Sequence, residues 1–296
     1  MKKLASLTAA GVVLTLAGTG TAVAQTHGAR SGQQTQTQAA TQPATTQQAA
    51  TQAAALQVTQ QANPRGKTAA TRNPLYRTGR LAGTNCAPGG IQRGSTAAYK
   101  RFLQRMTNCL NRAWATQFRK ANLSFSKPRL RIVTKRVNTA CGRWVSGAAG
   151  VYCSTNRTMY MLITKRELRQ PYPAGIARLM AHEYGHHVQT VSGIGSYYYP
   201  ARARAGRSAG LLLSRRLELQ AECFSAVFMR TISNSLPVTQ QDWDHMVSWF
   251  RENGHKGWAQ NDHGKGRSQA FWMERGFNSA QPGSCNTWTV SSRYVA

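Results

Sequence analysis

Residues 174–191 read AGIARLMAHEYGHHVQTV, and within them His182-Glu183-Tyr184-Gly185-His186 spell H-E-x-x-H. On an α-helix, residues four apart are turned by ~40° and raised by ~6 Å, so both imidazoles share a face. That spacing lets two ring nitrogens reach one zinc ion at ~2.0–2.1 Å. Glu183 then lies beside the metal without binding it, where a base for a metal-activated water is needed. Ile176, Leu179 and Met180 recur at helical spacing, Pro171 and Pro173 precede the stretch, and Gly193 and Gly195 follow it. These are helix periodicity, start and stop signals. Gly185 lowers helix propensity by ~1 kcal/mol relative to Ala, which calls for a reason such as close approach of another backbone.

Two histidines need a third ligand. Ser208 to Ser233 reads as a second long helix, carrying Leu211, Leu212, Leu217, Leu219, Phe224, Val227 and Phe228. Glu218 and Glu222 lie four apart on one of its faces. The whole chain has nine carboxylates, none before Glu167, and two on an apolar helix are costly to bury unless positive charge meets them. Zinc is one such charge: a His₂Glu set leaves a fourth position for water, and the other carboxylate can take the free N–H of a ligating imidazole. The competing reading pairs both glutamates with Arg215, Arg216 or the Arg202/Arg204/Arg207 cluster.

Outward from these helices, the chain of 296 residues has room for one ordinary globular domain. Met1 to Ala24 reads as an export signal: Lys2 and Lys3, an apolar run from Leu4 to Leu16, then Ala22-Val23-Ala24 as an A-x-A cleavage site. No other segment is long and apolar enough to suggest a membrane span in the mature chain. Residues 25–72 are rich in Gln, Thr and Ala and are expected to form a disordered spacer, leaving 73–296 as the folded domain. Thr96 to Asn122 predicts an amphipathic helix, Leu130 to Lys135 a strand, and Gly150–Cys153 with Thr158–Ile163 a hairpin. An edge of that sheet could hold an extended peptide by strand addition. Thr239 to Glu252, opened by a Thr239/Asp242 capping box, and Arg267 to Phe277 predict two further helices.

Six cysteines, Cys86, Cys109, Cys141, Cys153, Cys223 and Cys285, all fall in the folded part. An even count in an exported chain favours disulfides, and six cysteines allow fifteen pairings. Sequence order suggests Cys86–Cys109, Cys141–Cys153 and Cys223–Cys285. The C-x₂₋₄-C spacing of a structural zinc site does not occur.

The segments 182–189 (HEYGHHVQ) and 217–224 (LELQAECF), then His263-Gly264 and a Trp272, Gly276, Cys285 tail, resemble the bacterial family described as "putative neutral zinc metallopeptidase". Cys141-Gly142 and Tyr152-Cys153 resemble its pattern too, so the similarity covers roughly Asn73 to the C-terminus. The paired motifs also resemble the wider gluzincin group of zincins. The resemblance implies an α+β zincin-like domain, zinc as cofactor, His182, His186 and Glu218 as ligands, and Glu222 as the partner of a ligating imidazole. The chain departs from the family at Glu222, where Asp is usual, and at Ser268-Gln269, which aligns with a Gln-Arg pair.

The implied chemistry is peptide-bond hydrolysis, with Glu183 accepting a proton from the attacking water and passing it to the leaving amine. The developing oxyanion needs zinc plus one more donor, for which His263, preceded by Asp262, is the first choice and Tyr197 to Tyr199 are the next. The partner is then a protein or peptide, and the location is outside the cell or in its envelope. Lys and Arg outnumber Asp and Glu by 38 to 9, a net charge of +29. That excess keeps open a second class, an exported binding protein for an anionic cell-surface polymer with a non-catalytic metal site. Export and the lack of a nucleic-acid module count against a specific nucleic-acid binder.

Overall fold

The computed structural model describes residues 62–236, 238–256 and 258–296. The expected leader and most of the expected spacer therefore lie outside the described residues. In chain order the elements are α1 (Gly66–Thr71), α2 (Thr96–Lys120), β1 (Arg129–Val133), β2 (Gly150–Cys153), β3 (Thr158–Leu162), α3 (Lys165–Arg169), α4 (Pro173–Val191), α5 (Ile194–Arg204), α6 (Arg207–Ile232), α7 (Gln240–Asn253) and α8 (Gly266–Ser279). Helices and a small sheet thus make an α+β domain, as the sequence predicts.

Helix α2 forms because Tyr99, Phe102, Leu103, Met106, Leu110, Trp114 and Phe118 line one face, all buried, and because Ser95 caps its N-terminus by accepting from Ala98 N–H at 3.1 Å. Helix α4 starts with Pro173 at its first position, where no backbone N–H is needed. It stops at Gly193, whose φ of 89° is left-handed and whose missing Cβ makes room for the Pro64 carbonyl. Helix α6 packs between α4 and α8. The cystines are Cys86–Cys109, Cys141–Cys153 and Cys223–Cys285, the three pairs that sequence order suggests.

The sheet has the order β1-β3-β2, with β1 parallel and β2 antiparallel to β3. Every residue of central β3 is buried, and its alternation splits them. Met159 and Met161 join the main core, while Tyr160 and Leu162 meet Trp144 and Cys153 on the other side. Edge strand β2 lies against α4.

Two differences from expectation are informative. Residues 66–71, assigned to the spacer, form α1 with Ala69 and Ala70 fully buried. Asn73 donates from Nδ2 to the Ala69 and Ser192 carbonyls at 2.8 and 3.0 Å, so the folded part reaches back beyond residue 73. Helix α5 was hidden because Pro200 sits inside it and its sequence shows no amphipathic stripe.

Candidate metal centre

The site is built where α4 crosses α6. A Cβ on Gly185 would lie 3.0 Å from both Cα and O of Ala221, so the missing side chain is what lets the two backbones approach. At that crossing α4 presents His182 and His186, their ring centroids 4.8 Å apart, and α6 presents Glu218 and Glu222. His263, from the loop before α8, completes the cluster. Glu218 Oε2 lies 3.1 Å from His186 Nε2 and 3.4 Å from Nε2 of both His182 and His263.

None of these three approaches has hydrogen-bond geometry, and Glu218 Oε2, though buried, has no hydrogen-bond partner. A buried carboxylate oxygen ordinarily finds one, or a cation. Three imidazole nitrogens and one carboxylate oxygen turned toward a shared point are a borderline-soft donor set of the kind zinc takes. Among the described residues, the set whose ligand atoms all lie within 4.8 Å of one another is His182, Glu218 and His263, without His186. The residues fit the metal.

Each ring is held by its other nitrogen. His182 Nδ1 lies 3.2 Å from Glu222 Oε2, His186 Nδ1 2.9 Å from Gln189 Oε1, and His263 Nδ1 2.7 Å from Asp262 Oδ1. Gln189 is fixed in turn, donating to the Leu217 carbonyl at 2.7 Å and to Gln220 Oε1 at 3.1 Å. Trp258 stacks on His263 with centroids 3.9 Å apart and planes at 4°. Glu222 Oε2 also accepts from Arg178, itself stacked over Phe250 at 4.3 Å. Anchored Nδ1 atoms leave Nε2 free to point inward, the usual support for metal-binding imidazoles.

The charges respond to this packing. Burial disfavours protonation of His182, but the Glu218 and Glu222 carboxylates outweigh it and push its pKa up to about 10. Burial would raise both glutamates, yet His186, His263 and His182 hold Glu218 well below the carboxylate range, and Arg178 and His182 bring Glu222 down to about 2. Both are therefore carboxylates at neutral pH.

Glu183 is buried beside the cluster, and Gly150, the first residue of β2, packs so closely that a Cβ there would lie 2.9 Å from Glu183 Cγ. His187 turns away, as its helix position predicts. Its Nε2 donates to the Ser126 carbonyl at 2.6 Å and its Nδ1 accepts from Tyr152 O–H at 3.0 Å. Burial pushes its pKa down to about 4, so it stays neutral. Of the alternative oxyanion donors, Tyr197 packs on Trp288, Tyr198 O–H meets Ser214 Oγ at 3.2 Å, and Tyr199 is exposed.

The arginine reading of the glutamates is replaced. Arg215 and Arg216 donate to carbonyls of the C-terminal tail, Val295 and Val290 among them, and Arg202 to Ser214 Oγ. The arginine that does meet a glutamate is Arg178, which sequence reasoning missed although it sits one turn before His182 on the same face. Gln189, three residues after His186, carried a similar signal. Trp258 carried none, because a loop decides where it lies.

A family model described as "Putative neutral zinc metallopeptidase" matches residues 82–288. Uncharacterized protein YpfJ of Escherichia coli (strain K12) is 27% identical over 193 residues, covering 60% of this chain and 67% of that protein. Uncharacterized protein Rv2575 of Mycobacterium tuberculosis (strain ATCC 25618 / H37Rv) is 24% identical over 194 residues, 56% of this chain and 64% of that one. No solved structure matches.

Proposed function

Because the chain belongs to the family described as "putative neutral zinc metallopeptidase", we propose that it is an exported hydrolase of peptide bonds with a zincin-like fold. The observation that carries this reading is the buried Glu218 Oε2 atom, ringed by three imidazole nitrogens and bonded to none of them. His182, His186 and Glu218 would hold the zinc: the two histidines ride one rigid helix and the glutamate its crossing partner. A bound zinc ion supplies a Lewis acid that acidifies water and polarises a carbonyl.

The chain's own residues do the rest. Glu183 takes a proton from the attacking water and carries it to the leaving nitrogen, while Gly150 at its side fixes where the carboxylate sits. His263 is oriented by Asp262 at Nδ1 and would meet the developing oxyanion with Nε2. Edge strand β2 begins beside Glu183, so an extended peptide added to it would run past the base. We assign His263 to the oxyanion rather than the metal because four protein ligands would close the site to water, and of the two candidates for the third place His186 lies nearer Glu218 Oε2, at 3.1 Å against 3.4 Å.

The test measures zinc content and cleavage of a mixed peptide library for four proteins. Glu183→Gln should keep zinc and lose roughly 10²–10⁴ in kcat. His263→Ala should keep zinc and lose roughly 10²–10³, whereas His186→Ala should lose the metal. Equal absence of cleavage in the wild type and Glu183→Gln, both zinc-loaded, would overturn the enzyme reading. Zinc lost from His263→Ala as readily as from His186→Ala would move His263 into the ligand set. The polymer-binding alternative is not favoured, since nothing in the site calls for an anion.

A further inference from the structure

A cavity of about 340 Å³ opens beside His182, Glu222 and His263. One wall is the segment 147–150, Gly-Ala-Ala-Gly, where no side chain exceeds a methyl group. Leu179 of α4, Trp249 and Phe250 of α7, and Trp258 supply most of the others, with Asn253 and Gln269 as polar members of the lining. Leu179, Phe250 and Trp258 are half-buried, and Trp249 is 55% exposed. A single exposed apolar side chain is ordinary on a protein surface. One exposed and three half-buried apolar side chains around one hollow, next to a cluster of reactive groups, are the lining of a pocket for an apolar group. The Arg178 guanidinium in the wall is matched, paired with Glu222 and laid over Phe250. An incoming anion would have to compete with Glu222 for it, and an incoming cation would meet its repulsion.

We propose that this cavity is a specificity pocket that receives one large apolar side chain, of the phenylalanine or leucine type, from a residue flanking the scissile bond. The proposal rests on the peptidase reading and names its substrate class. Ligand pockets run from about 300 to 1,000 Å³, so this one has room for a single side chain rather than a longer apolar segment. Moving a leucine or phenylalanine side chain from water into it should tighten binding roughly ten- to a hundredfold over alanine.

The test uses blocked peptides identical except for Phe, Leu, Ala, Lys or Asp at one position, scanned along the sequence. Their dissociation constants are measured by calorimetry on zinc-loaded Glu183→Gln, and wild-type cleavage is followed in parallel. At one position Phe or Leu should bind at least tenfold tighter than Ala, Lys or Asp. Trp249→Ala, a change at an exposed residue, should erode that preference, and Leu179→Ala should shift it toward bulkier side chains. Equal binding of all five peptides, or a preference that neither variant alters, overturns the proposal. Selective binding without wild-type cleavage would sink the peptidase reading and leave the pocket. Cleavage without side-chain preference would do the reverse, and neither binding nor cleavage would remove both.

Discussion

Arg178 distinguishes two neighbouring glutamates: it pairs with Glu222 and leaves Glu218 to the three imidazoles. The resemblance implies Asp at the position of Glu222, whose extra methylene could carry the carboxylate into the donor cluster. Arg178 and His182 Nδ1 share its Oε2 instead and tie it behind the His182 ring, while its buried Oε1 has no hydrogen-bond partner. Arg178→Gln should therefore weaken zinc binding roughly 10- to 100-fold in a chelator competition. Arg178→Lys should restore part of it, because a point charge can still pair with the carboxylate but cannot match its fork. Unchanged zinc affinity in Arg178→Gln would reduce Arg178 to a packing partner of Phe250. His187 makes the opposite point. It adjoins a proposed ligand in sequence, yet both its nitrogens are engaged elsewhere, so adjacency to H-E-x-x-H does not confer a role in it.

Two contacts between elements set the geometry of the site. Where β2 meets α4, Gly150 leaves no room for a side chain beside Glu183. In Gly150→Ala the yielding atoms belong to the Glu183 side chain, so the base should move while the fold and the metal set persist. The expected result is a kcat lower by tenfold or more with zinc content and melting temperature near wild type; wild-type kcat would show that Glu183 tolerates the shift. Where α4 meets α6, the neighbour of Gly185 is backbone, which cannot swing aside. Gly185→Val should destabilise the protein by about 1–3 kcal/mol in thermal or urea unfolding, although helix propensity alone predicts the opposite sign. A stabilised Gly185→Val would mean that the crossing is looser than the 3.0 Å approach to Ala221 implies.

At the scale of the whole molecule, three cystines and the interlocked α4, α6 and α8 hold together a chain whose net charge of +29 works against compactness. Cys223–Cys285 ties α6, one residue past Glu222, to the C-terminal tail, and Gln220 binds that tail again through the Cys285 carbonyl at 3.0 Å. A metal binding only the folded state adds stability by mass action, about 2.7 kcal/mol at a hundredfold excess over its dissociation constant. Stripping zinc with a chelator should then lower the melting temperature by roughly 5–10 °C, and adding zinc back should restore it. A midpoint indifferent to both treatments would count against any metal at this crossing.

The sequence by itself determined the local matters: the long helices and the hairpin, the three cystine pairs, and the faces on which His182, His186, Glu218 and Glu222 lie. These follow from periodicities of 3.6 and 2 residues, capping chemistry and chain order, all written within a few turns of each residue. It could not show α5, masked by Pro200, or the early start of the folded part at α1, because short, weakly patterned segments take their structure from what they pack against. Only the tertiary structure decided that Arg178 rather than Arg215 or Arg216 meets Glu222, that Trp258 backs His263, and that α7 turns Trp249 and Phe250 toward the site. Those contacts reach far along the chain: Arg178 lies 44 positions from Glu222 and 72 from Phe250. Which side chain reaches across such a distance is settled by how close two helices can approach, and that in turn by the bare backbone of Gly185 against Ala221.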